Sequence, residues 1–408
     1  MLKETNDLDT IKRISGGITA APHFFACGIE AGIKETGKKD LALLFCEKEC
    51  TATGAFTTNA IRASCVDWCD NLLPASSIKA VVCNSGCANA CTGEKGKKDT
   101  ETMAQIVSDN LDISKKSVLV ASTGVIGKFL PLEKIKSTMP QLAKILSTDG
   151  GKRFASAILT TDTTIKESAF SVKCNEKRFT IGGCAKGSGM INPNMATMLA
   201  FITTDVSIPS ETLSEILKKT VNKTFNNLTV DGDTSTNDMV LVLANGMSDV
   251  RIDNMKSREL FEQALYEVCN DLCKQIAADG EGATKRVEIT VTGAESENDA
   301  RTAAKAVANS NLLKCALFGN DPNWGRIACA IGYSGAVFSK DNMTISLCKI
   351  PVFRNLQPLP FDYNEAGKRL KEKVVSIDID LGSGESKAVA HTCDFSYDYV
   401  KINAEYHT

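Results

Sequence analysis

Apolar positions along the chain follow two periods that alternate from one end to the other. Lys79-Ala80-Val81-Val82-Cys83 and Ser117-Val118-Leu119-Val120-Ala121 are continuous apolar runs of strand length, each ending in small residues. From Arg258 to Ala278, the residues Leu260, Ala264, Leu265, Val268, Leu272 and Ile276 share one stripe, which predicts an amphipathic helix stopping before Asp279-Gly280. Ile135, Met139, Leu142 and Ile145 repeat that spacing between Pro131 and Leu146, but Pro140 has no N–H to give and predicts a helix pair or a break. Strict alternation marks Val287, Ile289 and Val291, and again Val375, Ile377, Ile379 and Leu381, as strands with a half-exposed or helix-covered face. Alternating strand and helix without a repeat or a low-complexity linker predicts an α/β fold. Asn84-Ser85-Gly86, Ser122-Thr123-Gly124, Lys186-Gly187-Ser188-Gly189 and Asp279-Gly280-Glu281-Gly282 are predicted turns where these elements stop.

Composition narrows the partners. The 408 residues hold 47 Lys plus Arg against 49 Asp plus Glu, with 43% apolar residues, which excludes disorder, collagen and coiled coil. The length fits two to three domains or one large α/β body. A net charge of −2 gives no positive field, so neither nucleic acid nor an anionic membrane is expected as a partner, and the ligand should be a small molecule. Met1 to Ile14 has no apolar stretch of a secretory signal, and no run approaches the roughly 18 apolar residues of a membrane helix. A cytoplasmic protein is expected, with its 16 cysteines reduced. Cys83, Cys87 and Cys91 fall four apart, as do Cys46/Cys50, Cys65/Cys69 and Cys269/Cys273, yet no C-x2-C occurs and the histidines lie far off in sequence. No metal is expected, and the cysteines read as buried small side chains.

Familiar catalytic motifs fail in turn. Gly124-Val125-Ile126-Gly127-Lys128 has the wrong glycine spacing for a phosphate loop, and Phe129 stands where Ser or Thr is needed. Asp231-Gly232-Asp233-Thr234-Ser235 lacks the glycine and terminal glutamate of a calcium loop, since Thr236 and Val242 occupy those places. His23, His391 and His407 are the only imidazoles, and none adjoins a nucleophile elbow. With histidine scarce, an activated hydroxyl needs a lysine partner or a chain-terminal amine, and the latter requires an internal peptide bond to break. The segment Lys186 to Phe201 offers a glycine turn, Pro193, Ala196 and then Thr197 opening a strand-like run.

Here the sequence resembles the ornithine acetyltransferase family, also called bifunctional glutamate N-acetyltransferase. The matches run through Gly16-Gly17-Ile18-Thr19-Ala20, Phe56-Thr57-Thr58-Asn59, Asn84-Ser85-Gly86 with Ala88-Asn89-Ala90, Ser122 through Gly127, and Lys186 through Phe201. They continue through Thr229 to Asp238, Asp279 to Lys285, Gly319 to Arg326 and Asp398 to Asn403, nearly the whole chain. The resemblance implies an α/β body of layered sheets and helices with N-terminal-nucleophile-like chemistry. It implies self-cleavage between Ala196 and Thr197 into fragments 1–196 and 197–408 that form one composite body, and a heterotetramer with a second copy.

The implied reaction carries acetyl from N-acetylornithine to Thr197 and then to glutamate. An α-amine, with a reference pKa of about 7.7–8.0, holds free base near neutrality, so Thr197 once freed can be its own base. Thr123 and Gly124 match the family's oxyanion hole, and Thr160, Lys186, Thr197, Glu281, Asn403 and Thr408 match its substrate contacts. Lys186 supplies a cation for a substrate carboxylate, while Glu281 is left between pairing an amine and moving a proton. No cofactor is implied, and acetyl-CoA stays open as a second donor. Asp231, Asp233 and Asp238 are expected to hold backbone and turn groups, and Trp324 to lie in the core. Asn192, where Ala is usual, and Cys87 depart from the family pattern without removing a reacting group. A related amidase that passes the acyl group to water, and an uncleaved amino-acid-binding protein, remain as rival readings.

Overall fold

A computed structural model describes residues 10–35, 37–192 and 198–405. Ala196, Thr197 and Thr408 lie outside the described residues. The strands of the larger sheet are β1 (Ile11–Arg13), β2 (Phe24–Ile29), β3 (Leu41–Phe56), β4 (Ala75–Cys87), β5 (Val118–Val125), β6 (Lys166–Cys174), β7 (Lys177–Lys186), β8 (Leu199–Thr204) and β9 (Met239–Ala244). They run in the order β1-β6-β7-β8-β9-β3-β4-β5, with β2 added against β3. β8 and β9 pair in parallel at the centre of this order, and every residue of both is buried.

Alternation sends the side chains of those strands into two cores. Leu199, Phe201, Leu241 and Leu243 join the core on the side of β2, β4 and β5, whereas Ala200, Ile202, Val240 and Val242 pack toward the helices Ser210–Lys223 and Met255–Ala278. A second sheet follows, made of β10 (Arg286–Ala294), β11 (Thr344–Leu347), β12 (Ile350–Arg354), β13 (Gln357–Pro358), β14 (Val374–Asp380) and β15 (Ser386–Cys393). Its order is β13-β12-β11-β14-β10-β15, and it has its own core. The expected α/β layering is what the chain adopts.

Several boundaries differ from the expectation, each for a local reason. The helix Leu132–Lys144 runs unbroken through Pro140, because Pro140 lies on the exposed face while Ile135, Met139 and Leu142 dock on the core. The long helix begins at Met255 rather than Arg258: the Asn254 side chain accepts the Ser257 N–H at 3.0 Å, and the Asn254 N–H donates to the Ser257 hydroxyl. Ser122-Thr123-Gly124 and Asn84-Ser85-Gly86 are strand rather than turn, paired residue for residue in parallel. Glycine permits this, since Gly124 has φ +125° and a Cβ there would come within 2.5 Å of the Gly86 backbone. Trp324 is half-buried and stacks on Phe353 instead of entering the core fully. Most cysteines are buried as expected, but Cys91, Cys315 and Cys329 are exposed.

Candidate active site

The ends of β5 and β7, the stretch after the helix Gly151–Ala157, the stretch after the helix Met255–Ala278 and the helix Tyr397–Glu405 converge on one cavity of about 150 Å³. All of the sequence-predicted site residues that are described line it: Thr123, Gly124, Thr160, Lys186, Glu281 and Asn403. They come from positions 123 to 403, so only the fold brings them together. Lys186 is 9% exposed and Glu281 is 7% exposed, so neither is a solvated loop charge.

Three backbone segments are held in register by one buried ion cluster. The Lys166 ammonium, fully buried, lies 2.7 Å from Asp162 and 2.6 Å from Asp279. Asp162 accepts the Gly187 N–H at 2.7 Å and the Thr160 N–H at 3.1 Å, which fixes the backbone of Thr160 and of the residue after Lys186. Asp279 accepts the backbone N–H groups of Thr163 and Thr164. The Ser188 hydroxyl donates to the Asp279 carbonyl at 2.6 Å, and the Glu281 N–H donates to the Ser188 carbonyl at 3.0 Å. Burial pushes the Asp162 carboxyl up, but Lys166, Lys186 and the hydrogen bonds outweigh it and hold the group at about 2.

Glu281 folds over the glycine turn: a Cβ on Gly189 would meet its carboxylate at 2.3 Å. Its Oε2 accepts the Asn403 amide at 2.8 Å, which ties the last helix to the cavity. Asp231 behaves as a backbone holder, accepting the N–H groups of Met190 and Ile191 at 2.6 and 2.8 Å. Asn192, the departure from the family pattern, donates to the Gly232 carbonyl at 2.8 Å and so braces the same loop. His391 is buried on β15 against Asn270, away from the cavity wall, and burial pulls its imidazole down to about 4, so it stays neutral. Among the described residues no group of three or more His, Cys, Asp or Glu could hold a metal ion.

Sequence reasoning did not single out Tyr399 or the ion cluster. Tyr399 lines the cavity and stacks on Phe395 at 4.7 Å. Burial, then the nearby Asp231 and Glu281 carboxylates, raise its phenol above the ordinary value, so it remains a donor. Its position inside the Asp398-to-Asn403 match was the available signal.

The family model for the ArgJ family matches residues 25–408. The chain belongs to the ArgJ family. This is the ornithine acetyltransferase family that the motifs resemble, and membership makes the protein an enzyme, an N-acyltransferase. The arginine biosynthesis bifunctional protein ArgJ of Synechococcus sp. is 46% identical, aligned over 97% of this chain and 99% of that one. The ArgJ protein of Symbiobacterium thermophilum is 47% identical over 97% and 99%. Among solved structures, argJ from Bacillus halodurans is 45% identical with a TM-score of 0.50; the match takes in all of that chain but 52% of this one. Among the described residues no helix is long and apolar enough to cross a membrane.

Proposed function

We propose that the protein moves an acetyl group from N-acetylornithine to glutamate through an ester on Thr197, after cutting itself between Ala196 and Thr197. The observation that carries this reading is the single cavity that gathers Thr123, Gly124, Lys186, Glu281 and Asn403 from across the chain. In this reading Thr123 and the Gly124 N–H take the developing oxyanion, a role in which one lost donor costs on the order of a hundredfold or more. Lys186 pairs with the substrate carboxylate, Thr160 adds a polar contact, and Glu281, oriented by Asn403, faces the ornithine amine. Thr408 is proposed as a further substrate-binding residue.

The cut is compatible with the fold's connectivity. Fragment 1–196 would supply β7 and β3, and fragment 197–408 would supply β8 and β9 between them. The Bacillus halodurans chain, wholly matched yet spanning 52% of this one, has the length expected of a single fragment and supports the same reading. Pairing of two such two-fragment bodies into a heterotetramer is proposed with it.

Denaturing mass spectrometry of freshly purified protein tests the proposal. Two species meeting at Ala196 and Thr197, with N-acetylglutamate formed only when glutamate is present, are expected. Thr197→Ala should give one intact, folded, inactive chain. Turnover by that variant would remove Thr197 from the mechanism, and acetate release without glutamate dependence would make the protein a hydrolase. Acetyl-CoA belongs in the same assay as an alternative donor.

A further inference from the structure

The acidic side chains on the cavity wall are held very differently. Asp231 uses both oxygens on backbone N–H groups, Asp233 is exposed, and Glu281 is engaged by Asn403. Asp238 is 3% exposed, lines the cavity, and has a carboxyl oxygen, Oδ2, with no hydrogen-bond partner among the described residues. Its position is fixed by the sheet: the Met239 N–H donates to the Met198 carbonyl at 3.0 Å, so Asp238 sits beside the start of β8, the strand that follows Thr197 in sequence. A buried, unpartnered carboxyl oxygen beside a cavity requires a reason, and a proton-holding role for the group supplies one. Both amino-acid substrates of the proposed reaction bring a nitrogen that gains or loses protons.

We propose that the Asp238 carboxyl is the proton store for the substrate nitrogen, giving a proton to the amine that leaves and taking one from the ammonium that arrives. This rests on the acetyl-transfer reading above. The balance is closed over one cycle. As the amide C–N bond breaks and the Thr197 ester forms, the nitrogen receives the Thr197 hydroxyl proton by way of the α-amine. A second proton from Asp238 lets ornithine leave as an ammonium. Glutamate enters as an ammonium, returns one proton to the Asp238 carboxylate, and attacks the ester as a free amine. The second proton returns to the Thr197 oxygen as the ester C–O bond breaks. No outside reagent is consumed.

Charge supports this use of the group. Burial pushes the Asp238 carboxyl well above its ordinary value, against the nearby Ser235 polar groups and the Lys186 charge that pull it down. A carboxyl raised toward the working pH can both donate and accept. The other titratable and charged groups on the same cavity are Lys186, Asp231, Asp233, Glu281 and Tyr399. Glu281, the sequence's own candidate for proton movement, already has a donor in Asn403 and is better suited to binding.

The test separates the two half-reactions by intact mass, following the acetylated 197–408 fragment. Asp238→Asn should still mature, and should pass acetyl to glutamate about a hundredfold more slowly than wild type at neutral pH. It should pass acetyl to hydroxylamine, whose nitrogen is uncharged at that pH, at close to the wild-type rate. Glutamate transfer should recover as pH rises and the free amine becomes available. Ser235→Ala, which removes a hydroxyl that favours the charged carboxylate, should move the pH–rate limb of an otherwise active enzyme upward, and it provides the test if Asp238→Asn does not fold. Equal loss with both acceptors, no loss with either, or an unmoved limb in Ser235→Ala overturns the assignment. A wild-type protein that never forms an acetylated fragment overturns the acetyl-transfer reading itself, and the assignment with it.

Discussion

Lys166 and Lys314 are both almost completely buried, and they are treated in opposite ways. Lys166, under the cavity, sits between the carboxylates of Asp162 and Asp279. Lys314, in the helix Asn311–Phe318 that packs on the core of the second sheet, donates to the Thr392 hydroxyl and the Cys393 carbonyl at 2.6 Å each, and lies 4.6 Å from the centre of the Phe395 ring. Burial lowers the Lys314 ammonium below its ordinary value, more than neighbouring negative groups restore it. The difference follows what each region has to hold. Around the cavity, backbone N–H groups of Thr160, Thr163, Thr164 and Gly187 must be fixed, and carboxylates accept them best. Two carboxylates buried that close together require a cation between them, and Lys166 is that cation.

Replacing Lys166 by Met gives the sharpest break of the comparison. Two uncompensated buried carboxylates should cost about 3–5 kcal/mol, read as a lower urea midpoint. Asp162→Asn comes next, at about 2 kcal/mol, and its pH dependence carries the proof. Asp162 has a folded value near 2 against an ordinary 3.8, so its contribution is present above 3.8 and is lost as pH falls through about 2. Wild type should therefore lose stability across that acid window and Asp162→Asn should not; parallel acid unfolding curves would sink the argument. Lys314→Met should move stability least, by about 1–2 kcal/mol at neutral pH, because it leaves neutral acceptors rather than buried charges without a partner. Its folded value is depressed, so wild type gains stability as pH rises between the folded and unfolded values, and the variant should lack that gain.

Much of the site was legible because it is made of short, separated motifs whose residues carry the chemistry themselves. Thr123, Lys186 and Glu281 each stand beside glycine, and glycine at those places is what lets backbone and side chain come close. The periodic helix ending at Ala278 and the strand around Ile289 were legible because one face is apolar over several turns or pleats. The ion cluster was not, since Lys166 and Asp279 are 113 residues apart and a lone lysine in sequence reads as a surface residue. Strand ends failed for a related reason. Ser122 to Gly124 has turn composition, and only the parallel partner Asn84 to Gly86 makes it strand. Pro140 misled because its cost depends on which face of the helix meets water.

The place of β8 and β9 has a consequence for how such a molecule can be built. Their outer edges are occupied by β7 and β3, which belong to the other side of the proposed cut. Made alone, the segment 197–408 would present two bare, apolar strand edges in place of a finished sheet, a template for aggregation. Folding must then precede cutting, and once cut, neither piece can be traded for its equivalent in another molecule without opening the sheet along both seams. Two mature populations carrying different isotopes should sit together in one tube without a fragment of one ever completing the sheet of the other.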